Sequence, residues 1–207
     1  MTSTEATVFV VDDDPSVRKS LARLIESVGF KVETFASAQE YLKQDPCEGP
    51  SCLVLDVQMP EMSGLDLQEK LASAVLSMPI IFITGHGNVP MSVKAMKAGA
   101  VNFIEKPFDD QTLLDAINEA IERDRKSKLD QAVISEIQKR IDSLTPREKE
   151  VFALVVQGFL NKQIAFELGT SEKTIKVHRG RVMEKMHAES LADLVRMAEK
   201  VGIQPAL

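Results

Sequence analysis

The chain has 207 residues, 44% of them hydrophobic, which is enough apolar material for two cores. No run approaches the roughly eighteen apolar residues of a membrane span, and MTSTEATVFVV lacks the basic head and apolar stretch of an export signal, so a cytoplasmic protein is expected, with Cys47 and Cys52 as unpaired thiols without a role. The net charge of −6 is uneven: residues 1 to 124 carry 10 basic against 20 acidic side chains and residues 145 to 207 carry 10 against 8, so an acidic whole does not exclude a nucleic-acid partner for the back half.

Taken in chain order, short apolar, β-favouring runs stand at Val8 to Val11, Val32 to Phe35, Leu53 to Leu55, Ile80 to Ile83 and Val101 to Ile104. Segments of helical period separate them; in VRKSLARLIESVG, for example, Val17, Leu21, Leu24, Ile25 and Val28 share a face. Strand and helix alternating in this way predict an α/β domain with a parallel sheet covered on both sides, its strands continuously apolar. From Phe108 to Thr145 there is neither Gly nor Pro, and apolar residues recur at Leu114, Ile117 and Ile121, then at Leu129, Val133, Ile137, Ile141 and Leu144. The last helix of the first domain is therefore expected to run into a connecting helix; the alternative is a coil, with the charged stretch ERDRKSK as the place of a break. Beyond Leu144 the pattern is four short helices and no strand. Thr145-Pro146-Arg147-Glu148 reads as a capping box with proline at the first helical position, Gly158 and Gly169 as helix stops, and Ser171 as the cap of the third helix.

The polar residues that follow the apolar runs carry the chemistry. Asp12 and Asp13 follow the first strand, Asp56 the third, Thr84 the fourth, and Glu105-Lys106-Pro107 the fifth. In an open parallel sheet, ligands bind outside the carboxyl ends of the strands, so these groups aim at one place. Carboxylates crowded about 4 Å apart repel by roughly 4 kcal/mol per pair at an effective dielectric near 20, a cost that a divalent cation removes. With oxygen donors alone the expected ion is Mg²⁺. Phosphoryl transfer requires such a metal, an in-line nucleophile and an opposing cation, roles that suit Asp56 and Lys106. Singly, each residue has a plain alternative: an acidic run as a solvated loop, Thr84 as a strand-end cap, Phe103 as core, Lys106 as a solvated side chain. Only their shared position at strand ends makes a site. His86 reads as a loop residue, and Gly85-His86-Gly87 fails the dinucleotide fingerprint because Pro90 stands where a third glycine is required.

Together, Asp12-Asp13, the stretch DVQMPEMSG from Asp56 to Gly64, Thr84-Gly85 and Lys106-Pro107 resemble the receiver domain of two-component response regulators, over residues 5 to 124. The resemblance implies a five-stranded, doubly wound, flavodoxin-like sheet. It implies that Asp56 accepts phosphate from a sensor histidine kinase. It implies that Asp12, Asp13, Asp56 and the backbone carbonyl of Gln58 hold Mg²⁺, that Thr84 and Phe103 form a switch pair, that Asp14 is peripheral and that the Lys106-Pro107 bond is cis. A rival uses the same parts: in aspartate-based phosphatases of the haloacid dehalogenase class, D-x-D, here Asp12 and Asp14, would make Asp12 the nucleophile. Against it stand Ser16, two residues beyond Asp14, and an MPEMSG turn without a use.

In the back half, NKQIAFELG and TSEKTIKVHRGRVMEKM read as helix, turn, helix. On a wheel, Ile175, His178, Val182 and Met186 share the core face, while Lys173, Lys176, Val177, Gly180, Arg181 and Glu184 face outward. A cationic, small-residue outer face suits the major groove; a solvated helix face is the alternative. TPREKEV, GFLNKQIAFELGTSEKTIKVHRGRV and SLADLVRMA resemble the four-helix DNA-binding domain of the LuxR, FixJ and NarL regulators, over residues 144 to 201. By position Lys176 and Val177 contact bases, and Lys162, Lys173, Arg179 and Arg181, joined by Thr174, contact phosphates. Gly180 sits mid-helix on the DNA-facing side at a cost of about 1 kcal/mol against alanine; either it lets the backbone approach the DNA closely, or no base is read at that position. The expected organisation is a receiver at 1–124, a helical linker at 125–143 and a DNA-binding domain at 144–207. The protein would not be an enzyme but a transcription regulator, most simply an activator, that dimerises on phosphorylation and engages double-stranded promoter DNA and RNA polymerase. A phosphorylation-gated module that binds protein instead of DNA is the third reading.

Overall fold

The computed structural model describes residues 6–47, 49–72, 78–85 and 89–203. Five strands, β1 (Thr7–Val11), β2 (Lys31–Phe35), β3 (Ser51–Asp56), β4 (Ile80–Thr84) and β5 (Asn102–Glu105), lie parallel in the order β2-β1-β3-β4-β5. They alternate with helices α1 (Pro15–Ser27), α2 (Ala38–Tyr41), α3 (Gly64–Ala72), α4 (Val89–Lys97) and α5 (Asp110–Asp142). Successive strand residues point to opposite faces and so feed two cores. Val8, Val10, Val54 and Ile81 pack with Leu21 and Ile25 of α1 and Leu113 and Ile117 of α5. Phe9, Leu53, Leu55 and Phe82 pack with Tyr41 of α2, Leu67 of α3 and Ala95 of α4. Strands β1, β3 and β4 are buried along their whole length. The expectation of continuously apolar strands fails for β2, KVETF, where Lys31 and Thr34 are exposed. As an edge strand, β2 has one neighbour only and is only partly covered. Cys47 and Cys52 are free thiols that pack against opposite cores, and burial pushes the Cys52 thiol up.

α5 runs through ERDRKSK as one helix, so the alternative of a break there does not occur. Buried Asp124 accepts a hydrogen bond from the Ser51 amide at 2.8 Å and pairs with Lys128 Nζ at 2.9 Å, one turn on. Lys128 also donates to the carbonyl oxygens of Cys47 and Gly49. Loop carbonyls distant in sequence thus join the local Asp124–Lys128 pair in holding this charged stretch.

The chain divides into two compact units, residues 1–128 and 129–207. The second is built from the end of α5 with α6 (Pro146–Val156), α7 (Asn161–Glu167), α8 (Glu172–Met186) and α9 (Leu191–Lys200). Of the apolar row expected along the connecting helix, Leu129 and Val133 stay exposed, whereas Ile137, Ile141 and Leu144 join the core around Val151, Ile164, Ile175 and Val182. Gly158 (φ 86°) and Gly169 (φ 60°) follow α6 and α7 in the left-handed conformation that lets a helix stop and turn.

Thr145 caps α6 in a reciprocal box with Glu148, whose carboxylate also binds Lys185 of α8 at 2.7 Å. These bonds, led by that from Lys185, hold the Glu148 carboxyl down at about 2, against an ordinary value of 4.5. A folded pKa below the unfolded one adds stability that is complete above the ordinary value and is lost as pH falls toward the folded one. Discounted for the solvent exposure of Lys185, the contribution is about 1–2 kcal/mol. In denaturant titrations followed by circular dichroism, the gap in stability between the native protein and Glu148→Gln should be constant above about pH 5 and close between pH 4.5 and 2.

Candidate functional site

Strand order reverses between β1 and β3, which opens a crevice at their carboxyl ends. Val11 is in register with Leu55, so the next residues, Asp12 and Asp56, stand side by side. Lys106 reaches both, its Nζ lying 2.8 Å from Asp12 Oδ2 and 3.2 Å from Asp56 Oδ1. The backbone sets that reach: the Lys106 amide donates to the Thr84 carbonyl at 2.7 Å, and the Lys106-Pro107 bond is cis. Thr84 is wholly buried at the end of β4, one step beyond Ile83, the register partner of Asp56. Asp12 is oriented by accepting the Asp14 amide at Oδ1 (2.9 Å), while its carbonyl accepts Arg18 Nη1 at 2.7 Å. Arg18 was missed in the sequence reading; nothing in its spacing signals a bond that depends on the course of the intervening loop.

The three carboxylates of VFVVDDD take three different positions. Asp12 turns inward to Lys106, Asp13 is exposed, and Asp14 caps α1, accepting the amides of Ser16 at 2.7 Å and Val17 at 3.4 Å. The first amides of a helix have no partner within it and claim a neighbouring acid. Among the described residues no group of three or more His, Cys, Asp or Glu side chains stands assembled around a metal position. The positive charge between Asp12 and Asp56 is that of Lys106.

Asp56 is 7% exposed, and its pKa is raised: burial acts most strongly, Lys106 opposes it, and the charges of Asp12 and Asp13 add to it. For Lys106, burial works to lower the pKa, but the hydrogen bond and charge of Asp12, with those of Asp56, outweigh it and the net shift is upward. The crevice thus carries more negative charge than one ammonium offsets, and its donors are hard carboxylate oxygens. That donor set fits a divalent cation of the Mg²⁺ type. Gln58 lies in the β3–α3 loop, two residues past Asp56.

Gly64 opens α3 directly against this site. A Cβ at residue 64 would stand 2.3 Å from the Asp56 carbonyl oxygen and 3.1 Å from both Leu55 Cγ and Phe82 Cε1. Phe103, on β5, is half-buried and packs against Phe82 with ring centroids 6.2 Å apart. His86 lies outside the described residues.

In the second unit α7 and α8 form the helix-turn-helix. Ser171 caps α8 by accepting the Thr174 amide at 3.2 Å. Ile175, Val182 and Met186 are buried and His178 half-buried, as the wheel predicts. Lys173, Lys176, Val177, Gly180, Arg181 and Glu184 are all exposed, as is Lys162 on α7. Thr174 is half-buried, its hydroxyl 2.9 Å from that of Ser171. Arg179 is half-buried and donates to Asn161 Oδ1 at 3.2 Å, which ties α8 to α7. Sequence reading missed two positioning residues: Asn161 here, and Arg140 of α5, which donates to the Met186 carbonyl at the end of α8 (3.2 Å). Both act across the fold, where helical periodicity carries no signal.

A doubly wound sheet with an acid–lysine crevice at its switch point, followed by a helix-turn-helix unit, defines a phosphorylation-responsive, DNA-binding class of protein. Residues 8–118 match the family model described as a response regulator receiver domain, and residues 142–198 match that of the bacterial regulatory proteins of the luxR family. The chain is 54% identical to nodulation protein W of Bradyrhizobium diazoefficiens over 97% of its own length and 88% of that protein's. It is 45% identical to the transcriptional regulatory protein FixJ of Rhizobium meliloti, covering 98% and 100%. The structure of the response regulator StyR superposes with a TM-score of 0.85 at 48% identity, covering 95% of this chain and 100% of that one. The chain belongs to the two-component response regulators, with a receiver domain followed by a LuxR-type DNA-binding domain. The phosphatase reading is not favoured, since Asp14, the second acid of its D-x-D, is a helix cap. Among the described residues no helix is long and apolar enough to cross a membrane.

Proposed function

We propose that the chain is a cytoplasmic transcription regulator switched by phosphorylation of Asp56, with a receiver at 1–124, a linker at 125–143 and a DNA-binding domain at 144–207. The observation that carries this reading is the contact of Lys106 with both Asp12 and Asp56 at the switch point of the sheet. An Asp56 carboxylate oxygen attacks the phosphorus of a sensor kinase's phosphohistidine; the P–N bond breaks and the imidazole leaves with its electron pair and takes up a proton. Lys106 attracts the incoming phosphoryl oxygens, and its charge opposes the rise in the Asp56 pKa that burial causes. Asp12, Asp13, Asp56 and the Gln58 carbonyl would hold Mg²⁺, which supplies charge neutralisation for the transferred group. Thr84 then turns its hydroxyl toward the phosphoryl oxygens, and Phe103 moves against Phe82 in response.

The readout is a dimer. Val89, Val93 and Met96 form an exposed apolar stripe along one side of α4, at 75%, 44% and 45% exposure, of the kind that a second copy covers. Two copies of α8 would then meet successive major grooves about 34 Å apart and, with RNA polymerase, activate a promoter. The test is acid-labile phosphate mapped by mass spectrometry after incubation with Mg²⁺ and a small acyl phosphate. Label at residue 56 with a doubling of mass in light scattering supports the reading; no label, or label at Asp12, refutes it.

Within α8 the contacts sort by chemistry. Lys176→Ala should relax base preference at one position by about 1–3 kcal/mol. Lys162→Ala should weaken all duplexes alike and lower the slope of log affinity against log salt by about one unit. Binding measured on selected and random duplexes over a salt series separates the two. A partner protein in place of DNA predicts no steep salt dependence.

A further inference from the structure

Gly180 stands in the middle of α8, where glycine is the least favourable residue short of proline. Nothing among the described residues asks for it. Its backbone is helical, without the positive φ of Gly158 and Gly169, and a Cβ built on it meets no atom of the described residues within 4 Å. Gly64 is the contrast, because there the reason is a crowded protein interior. At residue 180 the space is open and faces outward, beside Lys176 and Val177 one turn earlier and Lys173 two turns earlier. Val177 is half-exposed among these cations, an apolar group left where the core does not use it. Two such lysine-rich faces repel each other, so a second copy of α8 is a poor partner, whereas the polyanionic surface of a duplex is a good one.

We infer that Gly180 sets the depth at which α8 lies in the major groove: the space left by the missing side chain is filled by the DNA itself. This rests on the DNA-binding reading of the second unit and adds a specificity determinant to it. Position 180 contributes no donor or acceptor, so the base pair opposite it is not read by hydrogen bonds. Its emptiness lets Lys176 and Val177 reach the base edges they discriminate. Any side chain at 180 would hold the helix away and weaken the selective contacts first, because flexible lysines can still follow the phosphates from further out.

The test uses the full chain with Gly180→Ala and Gly180→Leu. Duplexes are first selected from a random pool with the unsubstituted protein, and affinities are then measured for the selected sequence and a random one. Gly180→Ala should raise the melting temperature of the helical unit by about 4 °C. It should nonetheless weaken binding to the selected duplex by roughly tenfold, and Gly180→Leu by more, with much smaller losses on random DNA. A stabilised Gly180→Ala protein that binds the selected duplex as tightly as before, or loses equally on both duplexes, would overturn the inference while leaving the DNA-binding reading intact. If the unsubstituted protein has no salt-sensitive affinity for any duplex, both fall together.

Discussion

Replacing Asp56 with asparagine should leave a protein that folds at least as well as the original and takes up no acid-labile phosphate. Two opposing effects decide the stability. Burial and the charges of Asp12 and Asp13 raise the Asp56 pKa, so the ionised carboxylate is held in the fold at a cost, and a neutral amide of the same shape removes that cost. Against this, Lys106 loses one of two anionic partners, but it keeps Asp12 at 2.8 Å, the shorter contact. The melting temperature is therefore expected to be unchanged or a few degrees higher. The chemistry, in contrast, is lost outright, because an amide oxygen neither attacks phosphorus nor forms an acyl phosphate. Radiolabel or mass measurement after treatment with an acyl phosphate reads one effect and thermal unfolding the other. Phosphate persisting on Asp12 would mean that the crevice works as a phosphatase site, against the family and against the capping role of Asp14.

The second large effect is expected at Gly64→Ala. The added carbon would stand 2.3 Å from the Asp56 carbonyl oxygen, with Leu55 and Phe82 closing in from the other sides. None of these is the loose end of a flexible side chain. The first is backbone of β3, and the others are fully buried in the core beneath α3. The Gly64 amide also donates to the Val57 carbonyl at 3.0 Å, so the α3 start cannot move away without breaking that bond. Overpacking of this kind costs about 3 kcal/mol. What yields is the end of β3, which carries Asp56. A displacement near 1 Å relative to Lys106 slows phosphoryl transfer by roughly a hundredfold. Denaturant titration measures the stability and single-turnover labelling the rate. A variant of native stability and native rate would mean that the close approach at Gly64 does not hold Asp56 in place.

Much of this architecture can be read from residue order. The apolar runs VFVV, LVL and IIFI belong to strands that are buried on both faces and so carry no alternation to obscure them. The outward face of α8 follows from helical period alone, and the capping box at Thr145 from four consecutive residues. The candidate site was legible as a set, since Asp12, Asp56, Thr84 and Lys106 each follow a strand. Its internal arrangement was not. The three acids of VFVVDDD have the same chemistry in sequence and three different tasks in the fold: an ion pair with Lys106, an exposed charge, and a helix cap.

Local pattern by itself determined the elements, their order, the face that α8 buries and the two functional halves, because these depend on periodicity and on neighbours in the chain. Only the tertiary structure decided which acid Lys106 meets, that Asp124 and Lys128 tie the charged stretch after Glu122 to Ser51 and the loop before it, and that Arg179 leans on Asn161. Those outcomes depend on groups far apart in the chain, up to 94 residues in the case of Lys106 and Asp12, brought within hydrogen-bond distance by strand register. Gly64 and Gly180 make the same point in opposite senses. Both are lone glycines in the sequence; the folded chain shows one crowded by protein and the other facing open space.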